Sequence, residues 1–161
     1  MFQPGEEGWH GARHMIDDGL LDPAPDAAFA LHVMPNARFG LVGGRAGALR
    51  ASADQIDITV TGSGGHASLP HETRDPIPVA CEIVMALQAM VTRRFSAHDP
   101  VVVTIARIDS GSTHNVIPDE ARMKGTMRSL SADNRARLRE AVTLLAAGIA
   151  GAHGLTAEVI V

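Results

Sequence analysis

The sequence predicts a mixed α/β protein. Its larger part reads as a β-α-β-β-α-β unit, a four-stranded antiparallel sheet with two helices on one face. Three observations predict it. Residues 55–61, QIDITVT, alternate Ile56, Ile58 and Val60 with Asp57, Thr59 and Thr61, the period of a half-buried strand. Ala80, Ile83, Val84, Leu87 and Val91 recur at spacings of three and four, the period of an amphipathic helix. A second helical row, Leu138, Val142, Leu145 and Ile149, follows two more strand-like runs.

Taken in order, residues 9–18, WHGARHMIDD, read as a helix that Gly19 ends. Pro23 and Pro25 mark a loop, and Ala27–Val33, AAFALHV, is an apolar run long enough for a buried strand, broken by Pro35 and Asn36. The run GGRAGA at 43–48 reads as a linker. One helix and one strand bury too little surface to fold alone, so residues 1–48 read as a piece of a larger domain and 49–161 as a second domain. Exposed apolar surface is expected on the strand 27–33 or the helix 9–18. After the strand 55–61, Asp75-Pro76 opens a helix over 76–94, with Asp as N-cap and Pro in the first turn. Arg93 and Arg94 sit where the helix dipole favours cations. Cys81, within it, reads as a small core residue. Val101–Ile108 and Glu120–Ser129 are strands, Ser131 caps the second helix, Gly151 and Gly154 end it, and Thr156–Val161 is the last strand. Edge strands of such a sheet have to be covered or paired, and dimerisation is one answer.

Composition narrows the function. The chain has 161 residues, 45% hydrophobic and 20% charged, which excludes wholesale disorder. Fourteen Lys and Arg against eighteen Asp and Glu give a net charge of -4, with no broad basic surface for nucleic acid. No apolar run is long enough for a membrane span, and MFQPGEEG lacks the basic and apolar stretches of a secretory leader. The single cysteine excludes an internal disulfide framework and a multi-cysteine zinc site, and it suits a reducing, cytoplasmic setting. Aromatic residues are 3% with no tyrosine, too few for a base-stacking platform.

Four places can carry chemistry. Glu6 and Glu7 are adjacent carboxylates before a helix. One can bind a metal while the other takes a proton from metal-bound water; equally, both are favourable charges at a helix N-terminus. His32, within the apolar run, is either a metal ligand through a neutral nitrogen or a hydrogen-bonded core histidine. In Gly62-Ser63-Gly64-Gly65-His66-Ala67-Ser68, glycines allow close backbone approach to a ligand with His66 at the tip; the alternative is a flexible loop that happens to hold a histidine. Asn115 and Arg128, on neighbouring strands, could hold a carboxylate, Arg128 in bidentate fashion; the alternative is a β-turn at Pro118-Asp119 and a surface arginine. The remaining histidines show no metal-ligand spacing, although His71 and His114 lie close to these places.

Together these segments resemble the M20 metallopeptidase family, in its amidohydrolase branch of hippurate hydrolases, N-acyl-amino-acid amidohydrolases and auxin-conjugate hydrolases. The matching pieces are FQPGEEGWHGARHMIDDGLL, DAAFALHVMP, TGSGGHASLPHETRDPI, EIVMALQAMVTRR and NVIPDEARMKGTMR, in order and in register. The resemblance implies a metal-dependent hydrolase of N-acyl amino acids. Residues 1–48 would be part of the catalytic domain, and 49–161 the lid through which two copies dimerise. It implies Glu6 as general base, Glu7 and His32 as ligands of a dinuclear centre of manganese, zinc, cobalt or nickel, and His66 as a lid histidine that reaches the partner's active site. Asn115 and Arg128 would bind the substrate carboxylate. The family's upstream ligand motif with its Cys-Gly-His core and its downstream ligand histidine are not in this sequence. The resemblance therefore implies a fragment lacking both ends of the catalytic domain, with weak metal binding of its own. Two other readings stand beside it: a catalytically inactive dimerisation module, and a ferredoxin-like sensor domain argued from topology alone.

Overall fold

The computed structural model describes residues 2–5 and 8–161. The chain forms two compact units, Met1–Gly43 and Gly44–Val161.

Among its described residues the first unit holds one regular element, the helix α1 over Gly11–Asp17. It is shorter than the span 9–18, but its end is the expected one. Gly19 has φ of +91°. Its N–H donates to the Ile16 carbonyl at 3.0 Å, and that of Leu20 to the Met15 carbonyl at 2.9 Å. These are the two bonds of a Schellman motif, which glycine enters without a Cβ penalty. The strand expected at 27–33 does not form: these residues have no regular structure and are exposed. A strand needs a neighbour to take its N–H and C=O groups, and no strand is described in this unit. The expected exposure of apolar surface is present, with Phe29 at 98% and Leu31 at 89%.

The second unit is the predicted β-α-β-β-α-β fold with a small addition. Its elements are β1 (Asp54–Thr61), β2 (Gly65–His66), α2 (Pro76–Arg94), β3 (Val101–Ser110), β4 (Val116–Ile117), β5 (Glu120–Ser129), α3 (Ala132–Ala152) and β6 (Thr156–Ile160). The main sheet runs β3-β5-β1-β6, with every pair antiparallel. β2 and β4 make a separate two-stranded ribbon that the period of the sequence did not reveal, since two residues show no alternation.

The alternation of β1 is realised in full. Ile56, Ile58 and Val60 are wholly buried and meet Ala121, Met123 and Met127 of β5 and Val101 and Val103 of β3 in one core. Each such burial contributes about 1.5–3 kcal/mol. Val79, Ala80, Ile83, Leu87 and Met90 of α2 and Leu138, Ala141, Val142, Ala146 and Ala150 of α3 close this face. By length and composition α2 would suffice to cross a membrane; here its apolar row packs on the sheet. Asp75 accepts the Ile77 N–H at 2.9 Å and Ser131 the Asn134 N–H at 3.1 Å, the two caps the sequence predicts.

Three details differ from expectation. Cys81 is exposed, because its position on α2 faces away from the Ala80–Ile83–Leu87 row. Gly151 does not end α3, which runs on to Ala152; the turn comes at Gly154, with φ of +71°. β3 extends past Ile108 to Ser110, with a bulge between Ile105 and Arg107. Within this unit α2 and α3 both pack on one face of the sheet, and Arg122, Lys124, Thr126 and Arg128 of β5 stand exposed on the other.

Candidate functional site

The glycine loop after β1 is held from both sides. The Gly62 N–H donates to the Asp119 carbonyl and that of Gly64 to the Asp119 carboxylate Oδ1, each at 2.8 Å. Ser63 and Arg74 exchange both backbone hydrogen bonds, at 3.0 and 2.8 Å. The glycines permit close approach of backbone to backbone. A Cβ at Gly64 would lie 2.2 Å from the Ile117 carbonyl oxygen, and one at Gly62 2.0 Å from that of Arg74. The result is a pinned ribbon, with Gly65 opposite Ile117 and His66 opposite Val116.

His66 and Asn115 are brought together by this ribbon. The Ala67 N–H donates to the Asn115 carbonyl at 3.0 Å. Each of the two polar side chains is also held by a hydroxyl two residues away. Ser68 Oγ lies 2.7 Å from His66 Nδ1, and the Ser68 backbone N–H donates to the same nitrogen at 3.2 Å. Thr113 Oγ1 donates to Asn115 Oδ1 at 3.1 Å. All four residues are exposed.

Arg128 is elsewhere. The register pairs Thr61 with Glu120 at the ribbon end of the sheet, and Asp54 with Met127 at the other end. Arg128 lies eight residues beyond Glu120, opposite Val102 of β3, which at the rise of a strand is about 26 Å. Asn115 and Arg128 of one chain therefore do not share one carboxylate. The two neighbouring elements hold them at opposite ends of the sheet.

Residues 36–153 match the family model described as the peptidase dimerisation domain of M20 proteins. The chain belongs to the M20 peptidase family. An N-acetylcysteine deacetylase of Bacillus subtilis is 39% identical over 98% of this chain and 41% of its own length. A thermostable carboxypeptidase of Saccharolobus solfataricus is 37% identical over 99% of this chain and 41% of its own. Among solved structures, a Bacillus subtilis protein described as a dinuclear metal binding peptidase of the M20 family is 34% identical, with a TM-score of 0.76 over 99% of this chain and 38% of that one. This M20 chain thus spans about two-fifths of the length of the curated relatives it matches.

Glu6 and Glu7, expected as base and metal ligand, lie outside the described residues. His32 is exposed, and its Nδ1 lies 2.7 Å from the Val33 carbonyl, to which it can only donate. That leaves Nε2 as the nitrogen with a lone pair. Among the described residues no three His, Cys, Asp or Glu side chains are grouped to hold a metal ion. The described part of this M20 chain therefore does not by itself make a metal centre.

Sequence reasoning missed Asp119, which read as a turn residue. Its carboxylate is the clamp on the glycine loop. It missed Ser68 and Thr113 as well. For Ser68 a signal was available, a hydroxyl two residues after the loop histidine.

Proposed function

We propose that the whole protein is a metal-dependent amidohydrolase that cleaves N-acyl amino acids of the hippurate kind, and that this chain supplies its lid and part of its catalytic domain. Family membership and the deacetylases and carboxypeptidases among its relatives support the reaction class. Glu6 acts as general base, and Glu7 and His32 are ligands that other parts of the protein complete. The divalent metal, when bound, supplies an activated water and an electrophile. His66 and Asn115 donate hydrogen bonds to the scissile carbonyl side of the substrate, and Arg128 binds its free carboxylate.

The observation that carries this reading is the separation of Arg128 from the His66–Asn115 ribbon. One lid cannot serve one small substrate with both. Two lids can. β3 is a ten-residue edge strand, and Val102 within it is half-exposed. α2 carries a second, outward row of Ile77, Cys81 and Met85 at spacings of four, all exposed. β6 at the other edge has only five residues. Antiparallel pairing of β3 with its copy turns the partner end for end. The Arg128 end of one lid then lies beside the His66 end of the other, about three strand spacings or 14 Å across the joined sheet. The active site is therefore composite.

The test is a mixture of two inactive variants, His66→Ala and Arg128→Ala, of the whole protein with manganese and hippurate. In the mixed dimer one of the two sites is intact, so random exchange returns about a quarter of wild-type activity. Absence of recovery in proven mixed dimers overturns the composite site. A second reading, an inactive dimerisation module, is favoured by the lack of a metal-holding group among the described residues. Hydrolysis by this chain alone that disappears in Glu6→Ala would exclude it.

A further inference from the structure

We propose that Ser68 is a positioning residue that fixes His66 in the neutral form carrying its proton on Nε2. The inference rests on the reading of His66 as a group that faces substrate, and it names the form in which it does so.

A backbone N–H can only donate. The Ser68 N–H is directed at His66 Nδ1 at 3.2 Å, so that nitrogen presents its lone pair. In a neutral imidazole the proton is then on Nε2. The Ser68 hydroxyl, 2.7 Å from the same nitrogen, donates to it as a second partner. A proton on Nδ1 would instead set N–H against N–H. The backbone donor does not swing away easily, because its neighbours are tied. The Ala67 N–H is bound to Asn115 and the Leu69 N–H to the His66 carbonyl at 2.9 Å.

The consequence is chemical. With Nδ1 occupied, the outward nitrogen of His66 is an N–H, which donates a hydrogen bond to an oxygen and does not accept a proton. Thr113 does the corresponding work for Asn115, since its hydroxyl donates to Oδ1 and so fixes which end of the amide carries the two N–H donors. The ribbon thus presents neutral donors at His66 Nε2 and Asn115 Nδ2. That set suits a carbonyl oxygen that gains negative charge during reaction, because preorganised donors act most strongly where charge develops. It does not suit general-base work.

Nitrogen shifts of the labelled chain in long-range proton–nitrogen NMR spectra, recorded at about pH 8, above imidazole titration, test the assignment. His98 is exposed and serves as the internal reference. The expected result is a pyridine-like Nδ1 and a pyrrole-like Nε2 for His66, farther apart than the averaged pair of His98. Ser68→Ala, which removes the hydroxyl and keeps the backbone N–H, should move His66 part of the way toward the His98 pattern, and Ser68→Thr should keep the wild-type one. A protonated Nδ1 in the wild type overturns the proposal, and a Ser68→Ala spectrum unchanged at His66 overturns the part given to the Ser68 hydroxyl. The same spectra show whether the variants keep the fold. In the whole protein Ser68→Ala should lower kcat about tenfold with little change in KM. If the tautomer is as stated and kcat does not move, the reading of His66 as a substrate-facing group fails while the Ser68 assignment stands.

Discussion

At the scale of single residues, a bidentate ion pair lies away from the site. Arg135 reaches Asp54 with Nε at 2.8 Å and Nη2 at 2.6 Å, and Ser52 Oγ adds a third contact at 3.3 Å. The Asp54 side chain is nearly buried, with 9% of its surface exposed. The guanidinium holds its carboxyl below the usual carboxylate range, against the opposing effect of burial. A carboxyl whose folded pKa is lowered contributes stability above its unfolded value, about 4, and that contribution is lost as pH falls through the lowered folded value. Asp54→Asn should therefore lower stability by about 1 kcal/mol at neutral pH. The deficit should shrink as urea midpoints are followed below about pH 3. A deficit of the same size at both ends of that range would show that Asp54 acts through shape and not charge. Gly64→Ala makes a different prediction. Its Cβ would meet backbone rather than a side-chain tip, so the ribbon must shift. The His66 signals should move while the core amides of β1 and β5 stay in place.

At the scale of elements, the hydrophobic period carried most of the information. It placed β1, α2, β5 and α3 to within a few residues, because each buries one face against the same core and the pattern records that face. It did not find β2 and β4, which are too short for any period and depend on the Asp119 clamp and two close glycine contacts. Nor could it place Arg128 relative to Asn115. Spacing in sequence puts Asn115 before β5 and Arg128 near the end of it, but the register shows that a strand's length separates them. The edge of the sheet yields a prediction at this scale. Met85→Glu on the outer row of α2, or Val102→Lys in the edge strand β3, puts a charge on the surface proposed to pair. Sedimentation should show monomers for either variant, with the secondary structure retained. A charge at Leu144 of α3, on the opposite edge and also exposed, should leave the dimer intact. The reverse outcome would move the interface to β6.

At the scale of the whole molecule, the two units differ in what holds them. The second has a closed core and two capped helices, and its backbone groups are paired along a four-stranded sheet. The first has a seven-residue helix, and it leaves Phe29, Leu31, Val33, Phe39 and Val42 in solvent. Burying any one of these side chains would contribute about 1.5–3 kcal/mol, and a row of them is more than a soluble surface normally exposes. The alternating set Phe29, Leu31 and Val33 also shares one side of an extended chain, which is the form of a strand without its sheet. The same property explains why AAFALHV reads as a strand: the sequence records the environment for which the segment is suited, and the described residues of this unit form no strand to pair with it. Hydrogen exchange separates the two cases. Amides of residues 27–42 should exchange at nearly the rate of an unstructured peptide, while those of β1 and β5 stay protected to global unfolding. Chymotrypsin should cut first at Phe29, Leu31 or Phe39 and leave a dimeric fragment containing Gly44–Val161. Protection of 27–34 in this chain would mean instead that a second copy supplies the missing strand, and dilution to monomer should then abolish it.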